Sequence, residues 1–470
     1  ETIALDFRET APASADSKTY ASTDPKASLD GGLAVGVPGV PAGLFELHKK
    51  YGKLKWNQLF KGAIDMAENG FEVSGDWTKI TSDNKPRVNK DALAIFFPKA
   101  KDLGPGDVLK QPRLAKFLRK YQSQGSRAFY EGEVASDVIS TVNSNGGKFT
   151  PQDLKKFSVR WLKPLTVQYD GHTVHLMPPP SSGGVVIAQA LALIDRFKLK
   201  KIAELSLEEL HLLIEIEKQS YRGRVLLGDP DFTQNPIAKL LADDSINALA
   251  KQINPKKATP SEKILTAEER KQVEGINKEK KQTTHMTVMD SDGNAVAMTV
   301  TLNGNYGSGL VTPKFGIALN NEMDDFTTKP GVPNMFGLIQ GEANLVRAGA
   351  RPLSSMSPTI VEKDGKTVLA LGAPGGPRII SAVLQVLYRV ISRGEDIETA
   401  ILAPRVHHQF LPDSVKTDAM RLPPESITGL KKLGHIVETS STAKVYGVVL
   451  KDDRLSAAAD NRGEGAAGGY

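Results

Sequence analysis

Hydrophobic and polar residues alternate through KQTTHMTVMDSDGNAVAMTVTLN, residues 281–303. Thr284, Met286 and Val288 share one face of a first strand. Val296, Met298 and Val300 share one face of a second. This period of two predicts a β-hairpin. Its register depends on the loop. A two-residue Asp292-Gly293 turn would pair Ser291 with Asn294 and set an apolar face against a small polar one. A three-residue loop, Ser291-Asp292-Gly293, pairs Asp290 with Asn294 and puts the glycine at the left-handed position of a bulged turn. Met286 then faces Met298 and Val288 faces Val296, which keeps the apolar face whole. In this register Thr283 lies opposite Thr301 on the face away from the core, with Asn303 two residues further on.

The rest of the chain reads as runs of strands and runs of helices. Residues 1–45 suggest a strand followed by loops, and 45–155 are mostly helical, with Gly70 as a helix stop. PLTVQYDGHTVHLM (164–177) reads as a hairpin on an Asp-Gly turn. SSGGVVIAQALALIDRF (181–197) reads as a glycine entry into a buried helix, so PPPSSGG is a structural turn rather than a polyproline ligand. Residues 205–229 form another helix, with Ser206 as N-cap. FGIALNN (315–321) and the residues around 358–372 read as strands. A helix begins near Pro377, buries Ile380, Val383, Leu384 and Leu387, and ends at Gly394. Without regular βαβ alternation this is a layered α+β chain. Residues 250–282 are lysine-rich with little apolar periodicity and read as a solvated, mobile segment.

Composition narrows the chemistry. A net charge of +6 over 470 residues is a mild excess and does not argue for nucleic acid. No apolar run reaches the length of a membrane span. The chain has no cysteine, which excludes disulfides, thiolate metal sites and a cysteine nucleophile. Adjacent His407 and His408 point to opposite sides of an extended segment and have no carboxylate at metal-ligand spacing, so both read as structural. Gly375-Gly376 before a helix frees amide N–H groups to face a developing oxyanion. The absence of a following Gly-Lys-Ser/Thr disfavours a phosphate loop.

Thr283-Thr284-His285, DGNAVA and Thr301-Leu302-Asn303, taken together, resemble the gamma-glutamyltransferase (gamma-glutamyl transpeptidase, glutathione hydrolase) family of N-terminal-nucleophile hydrolases. The resemblance continues in LDFRETAP (5–12), GVPGVPAGL (36–44), MPPPSSGG (177–184), LGDPDF (227–232) and NNEMDDF (320–326). It extends through KPGVPN (329–334), RPLSSMSPTIV (351–361), GAPGGPRII (372–380) and APRVHHQF (403–410). It implies a four-layer αββα sandwich and a precursor that cuts itself between Gln282 and Thr283. Residues 1–282 would be the large subunit and 283–470 the small catalytic subunit of one intertwined domain, with the mobile tail giving the scissile peptide room to strain.

Chemically, a threonine hydroxyl needs a base, and an N-terminal threonine carries one in its own α-amine, whose ordinary pKa is about 7.7–8.0. The resemblance makes Thr283 the nucleophile, Thr301 its orienting partner, and Gly375 and Gly376 the oxyanion hole. Arg8 with Ser354 and Ser355 would read the substrate α-carboxylate. Asn303, Glu322 and Asp325 would read its ammonium. KPGVPNMFG (329–337) resembles a lid whose aromatic, here Phe336, has no hydroxyl to offer Asn303, so closure would be looser or steric. Tyr221-Arg222-Gly223-Arg224 departs from relatives that more often have Asp at the Gly223 position, with a structural effect expected. The implied substrates are glutathione-like γ-glutamyl donors, with water or amino acids and peptides as acceptors, and no cofactor. The family's signal sequence and Gly-rich leader imply periplasm or secretion. Two readings stay open beside this one: a cephalosporin-acylase-like or poly-γ-glutamate-processing relative, and an uncleaved, non-catalytic binding protein.

Overall fold

The computed structural model describes residues 1–470 except 23, 25, 265–282, 329–333, 339, 419, 420 and 470, and omits the side chains at 21 and 22. Its centre is an antiparallel sheet. In chain order the strands used below are β1 (Leu165–Tyr169), β2 (His172–Leu176), β3 (Thr284–Met289), β4 (Ala295–Val300), β5 (Thr359–Lys363), β6 (Lys366–Gly372), β7 (Tyr446–Lys451) and β8 (Arg454–Ala459). The main sheet runs β8-β7-β6-β5-β2-β1. β1 and β2 join through Asp170 and Gly171, both at positive φ (45° and 76°), as a tight hairpin of right twist demands.

Helices α1 (Gly183–Arg196) and α3 (Arg378–Tyr388) cover one face of this sheet, and α2 (Leu207–Arg222) packs against α1. Ile187, Leu191, Ile216, Val383 and Leu387 pack with Val174, Val361 and Leu371 in one core. Ser206 caps α2 by accepting the Glu209 N–H at 3.2 Å. Beyond α3 a π-helical turn reaches Gly394, left-handed at φ 71°. Helices between residues 40 and 155 gather around Phe117, Phe129, Val138 and Leu154, which meet Leu310, Phe315 and Leu319 from far along the chain.

β3 and β4 lie on the other face of the main sheet, where Met289 packs against Ala370 and Val448. The stack is therefore helices, sheet, second sheet, in an α+β sandwich. The hairpin has the expected register, Met286 opposite Met298 and Val288 opposite Val296. The Asp290 N–H donates to Asn294 O at 3.0 Å, and Gly293 is at φ 80°.

The hairpin faces the other way from the expectation. Met286, Val288 and Val296 are 47 %, 65 % and 41 % exposed, while His285, Met289 and Thr299 are buried. Thr283 and Thr301 thus extend the inner face. The reason lies across the layer. A Cβ at Gly372 would fall 2.1 Å from the His285 ring, so the ring fills the space this glycine leaves open, and its two nitrogens are held by Thr299 and Thr287.

Other expectations also change. FGIALNN makes only an isolated bridge, Val311 to Ala318, because the chain turns tightly through Gly316 at φ 64°. The solvated segment does not start at residue 250. Ile253 and Ser261 are buried, Ser261 Oγ donates to Phe410 O at 2.7 Å, and the Ala258 N–H donates to Leu433 O at 2.8 Å. Polar anchoring holds what apolar periodicity did not announce, and residues 265–282 lie outside the described set. His408 does have a carboxylate partner, Asp413 at 3.1 Å, which also faces Lys218 at 3.3 Å. Among the described residues no cluster could hold a metal ion.

Candidate active site

Thr283 stands at the entrance of β3, and its hydroxyl donates to Thr301 Oγ1 across the hairpin at 3.4 Å. Thr301 Oγ1 in turn accepts the Asn303 N–H at 2.8 Å. Asn303 is buried at φ 71° and donates from Nδ2 to Asn321 O at 3.0 Å. Strand pairing therefore places Thr283, Thr301 and Asn303 at one site. Gln282 and residues 329–333 of the expected lid lie outside the described residues.

Next to Thr283 along the strand, His285 hydrogen-bonds Thr299 Oγ1 at 2.8 Å through Nδ1 and Thr287 Oγ1 at 2.9 Å through Nε2. Burial pushes its pKa down from 6.5 to about 3, so the ring is neutral. The unfolded chain binds the proton that the folded chain refuses. The stability held by neutral His285 is therefore full above pH 6.5 and is lost as pH falls toward 3, by up to about 1.4 kcal/mol per pH unit. A His285→Gln variant is expected to lose less thermal stability than the unaltered chain between pH 7 and about 5. Equal losses in calorimetry would refute this.

Gly375 and Gly376 sit at φ 140° and 60°, where a side chain is strained. Neither amide donates a hydrogen bond among the described residues. A Cβ on Gly375 would meet Ala443 Cβ at 2.7 Å, and one on Gly376 would meet the Phe336 ring at 2.9 Å. The loop is held from both sides. The Tyr221 hydroxyl donates to Pro377 O. Ala443 O accepts from Arg405 at 2.7 Å, and Arg405 is fully buried against Asp460. Phe336 is itself buried, with its carbonyl accepting from Gln409 Nε2 at 3.1 Å.

Charge gathers on the far side of the cavity. Arg8 pairs with Glu322 at 2.7 Å and with Asp325, and Glu9 lies at 3.7 Å. Burial works against the Arg8 charge, but Glu322, Asp325 and Glu9 outweigh it and hold its pKa up. Burial raises Glu322 well above the usual carboxylate range against the pull of Arg8. Asp325 is raised for the same reason, with Arg8 and Arg224 opposing. Neighbouring Asp324 is pushed by burial to about 7 and accepts from Met335 N at 2.9 Å and Ser28 Oγ at 2.8 Å.

Ser354 and Ser355 are buried at the cavity wall. Their loop is fixed by neighbouring motifs. The Ser354 N–H donates to Pro180 O at 2.8 Å, and Asp229 of LGDPDF accepts the Arg351 N–H at 2.7 Å. An open cleft is lined by Thr283, Thr301, Asn303, Arg8, Asp325, both serines and Gly376. Gly375 precedes Gly376 in the chain but does not itself line it. Glu322 does not line it but touches Arg8 and Asp325, which do. Tyr221, His285 and Arg224 also belong to this neighbourhood. The sequence showed Arg224 only as part of a tetrapeptide at the end of a helix.

The Gamma-glutamyltranspeptidase family model matches residues 1–470. The chain is 42 % identical over 440 residues to a glutathione hydrolase proenzyme of Pseudomonas sp. (strain A14), covering 92 % of this chain and 75 % of that one. It is 41 % identical over 425 residues to the glutathione hydrolase proenzyme of Escherichia coli (strain K12), covering 89 % and 72 %. Among solved structures, cephalosporin acylase from Bacillus halodurans superposes with a TM-score of 0.82 over 98 % of this chain and 83 % of that one, at 22 % identity, which speaks to the fold alone. Helicobacter pylori gamma-glutamyltranspeptidase superposes at 0.55 over 56 % of this chain and 78 % of that one, at 35 % identity. A match along the whole length, with the motif residues converging on one cavity, makes this chain a member of the gamma-glutamyltranspeptidase family.

Proposed function

We propose that this chain is the precursor of a threonine-dependent gamma-glutamyltransferase acting on glutathione and related γ-glutamyl amides. The observation that carries this reading is the convergence of Thr283, Gly376 and a zwitterion-matching charge cluster on one cavity. Maturation begins when Thr283 Oγ attacks the Gln282 carbonyl. The peptide C–N bond breaks, the α-amine is released and an ester forms. Water then hydrolyses the ester, leaving a Gln282 carboxylate and a free N-terminal threonine.

In turnover the Thr283 α-amine takes the hydroxyl proton as Oγ attacks the γ-carbonyl. The oxyanion meets the Gly375 and Gly376 amides. The leaving amine recovers a proton, and water or an amino acid or peptide acceptor then cleaves the γ-glutamyl ester. Arg8, Ser354 and Ser355 take the α-carboxylate, and Asn303, Glu322 and Asp325 take the ammonium. The nucleophile, base and oxyanion donors of these steps are groups of the chain. The proposed location is periplasmic or secreted; among the described residues no helix is long and apolar enough to cross a membrane.

The test is release of p-nitroaniline from γ-glutamyl-p-nitroanilide by the cleaved protein, with acceleration by a dipeptide acceptor. Cleaved protein that releases glutaryl side chains from cephalosporins but ignores the γ-glutamyl anilide would put the acylase reading in its place.

A further inference from the structure

Arg224 is 3 % exposed and lines the same cavity as Thr283. Its Nε donates to Ser182 Oγ at 3.1 Å, but its Nη1 is buried without any acceptor. Among the described residues no carboxylate lies within ion-pair distance of it. Burial lowers its pKa to about 10, with Asp325 opposing from further away, so the guanidinium stays charged at neutral pH. A buried cation with an unused donor costs several kcal/mol unless something supplies the anion.

Arg8 is in the opposite position. Its guanidinium already answers Glu322 and Asp325, and its Nε donates to Pro352 O at 3.2 Å. Arg224 also sits directly behind the serine pair, since the Ser182 hydroxyl that accepts from it donates to Ser354 O at 2.8 Å. The Ser354 and Ser355 hydroxyls make no hydrogen bond of their own among the described residues. Free hydroxyls backed by a free guanidinium form an anion site beside the paired Arg8 cluster.

We infer that Arg224 is a specificity-determining residue that supplies the second positive charge for the α-carboxylate of the γ-glutamyl donor, alongside Ser354 and Ser355. This rests on the function proposed above. When the donor's ammonium engages Asp325, Arg8 is released in part, and its carboxylate bridges the two arginines.

The test compares γ-glutamyl-p-nitroanilide with 4-aminobutyryl-p-nitroanilide, the same donor without the α-carboxylate. Both are followed in single turnover with cleaved enzyme in excess, so that a slow donor is still measured. Arg224→Gln is expected to reduce acylation of the γ-glutamyl donor at least ~10-fold more than that of the 4-aminobutyryl donor. Arg224→Lys should recover part of the difference and carries the comparison if the glutamine variant does not self-cleave. Equal losses on both donors would show a merely structural arginine and overturn the inference. No loss on either would overturn it as well. Failure of the unaltered enzyme on both donors would instead overturn the proposed function.

Discussion

Thr283→Ala is expected to remain one polypeptide where the unaltered chain separates into two, and to lose γ-glutamyl transfer by more than about 10⁴-fold in kcat, the scale on which removing a hydrolase nucleophile acts. Both losses have one cause, because the same oxygen would open the Gln282–Thr283 peptide and later the donor amide. Alanine removes only that oxygen and its methyl neighbour. Thr283 is partly buried and its side chain meets Thr301, so the fold should survive. Thr283→Ser keeps the hydroxyl and should still cleave, more slowly, because it lacks the β-methyl that limits the χ1 rotamers. Intact mass and denaturing electrophoresis read the first effect, and anilide release reads the second. Two fragments from the alanine variant would place the nucleophile elsewhere.

Gly375→Ala should cleave donors about 10²–10³-fold more slowly, the cost of losing one oxyanion donor, with a much smaller change in KM. At φ 140° and with Ala443 Cβ 2.7 Å from the added carbon, alanine must rotate the peptide that carries the amide. Ala443 cannot yield easily, since its carbonyl is tied to the buried Arg405. Gly376→Ala meets a softer neighbour, the Phe336 ring, but keeps the strain of φ 60°. Adding Phe336→Ala should therefore recover only part of its loss. Burst kinetics with the anilide separate acylation from deacylation. A change confined to KM would remove the glycines from the oxyanion role.

The hairpin register was legible before any coordinates because strand periodicity and loop length leave only one pairing that keeps Met286 with Met298. Its facing was not. Apolar residues normally mark the inner side, but here that side carries His285, whose ring lies over Gly372 and is hydrogen-bonded between the Thr299 and Thr287 hydroxyls. The positive φ of Gly375 and Gly376 could be read from the Gly-Gly-Pro run, whose backbone demands are local. The role of Arg8 could be read only through resemblance, since Glu322 and Asp325 lie more than 300 positions away in sequence. Arg224 and Tyr221 were hidden for the same reason. Their partners are a serine in one turn and a proline carbonyl in another, and pattern does not encode such long-range contacts.

β2 and β5 form one antiparallel ladder, with His175 opposite Ile360, although the proposed cut lies between them in sequence. Cutting at Thr283 would leave that ladder and the surrounding core in place while removing the covalent tie. Unfolding would then produce separate chains, so recovery becomes a second-order encounter, slower on dilution, whereas the uncut precursor recovers at a rate independent of concentration. Maturation at Thr283 would therefore make recovery after unfolding depend on protein concentration, and at high dilution the working lifetime would follow the unfolding rate.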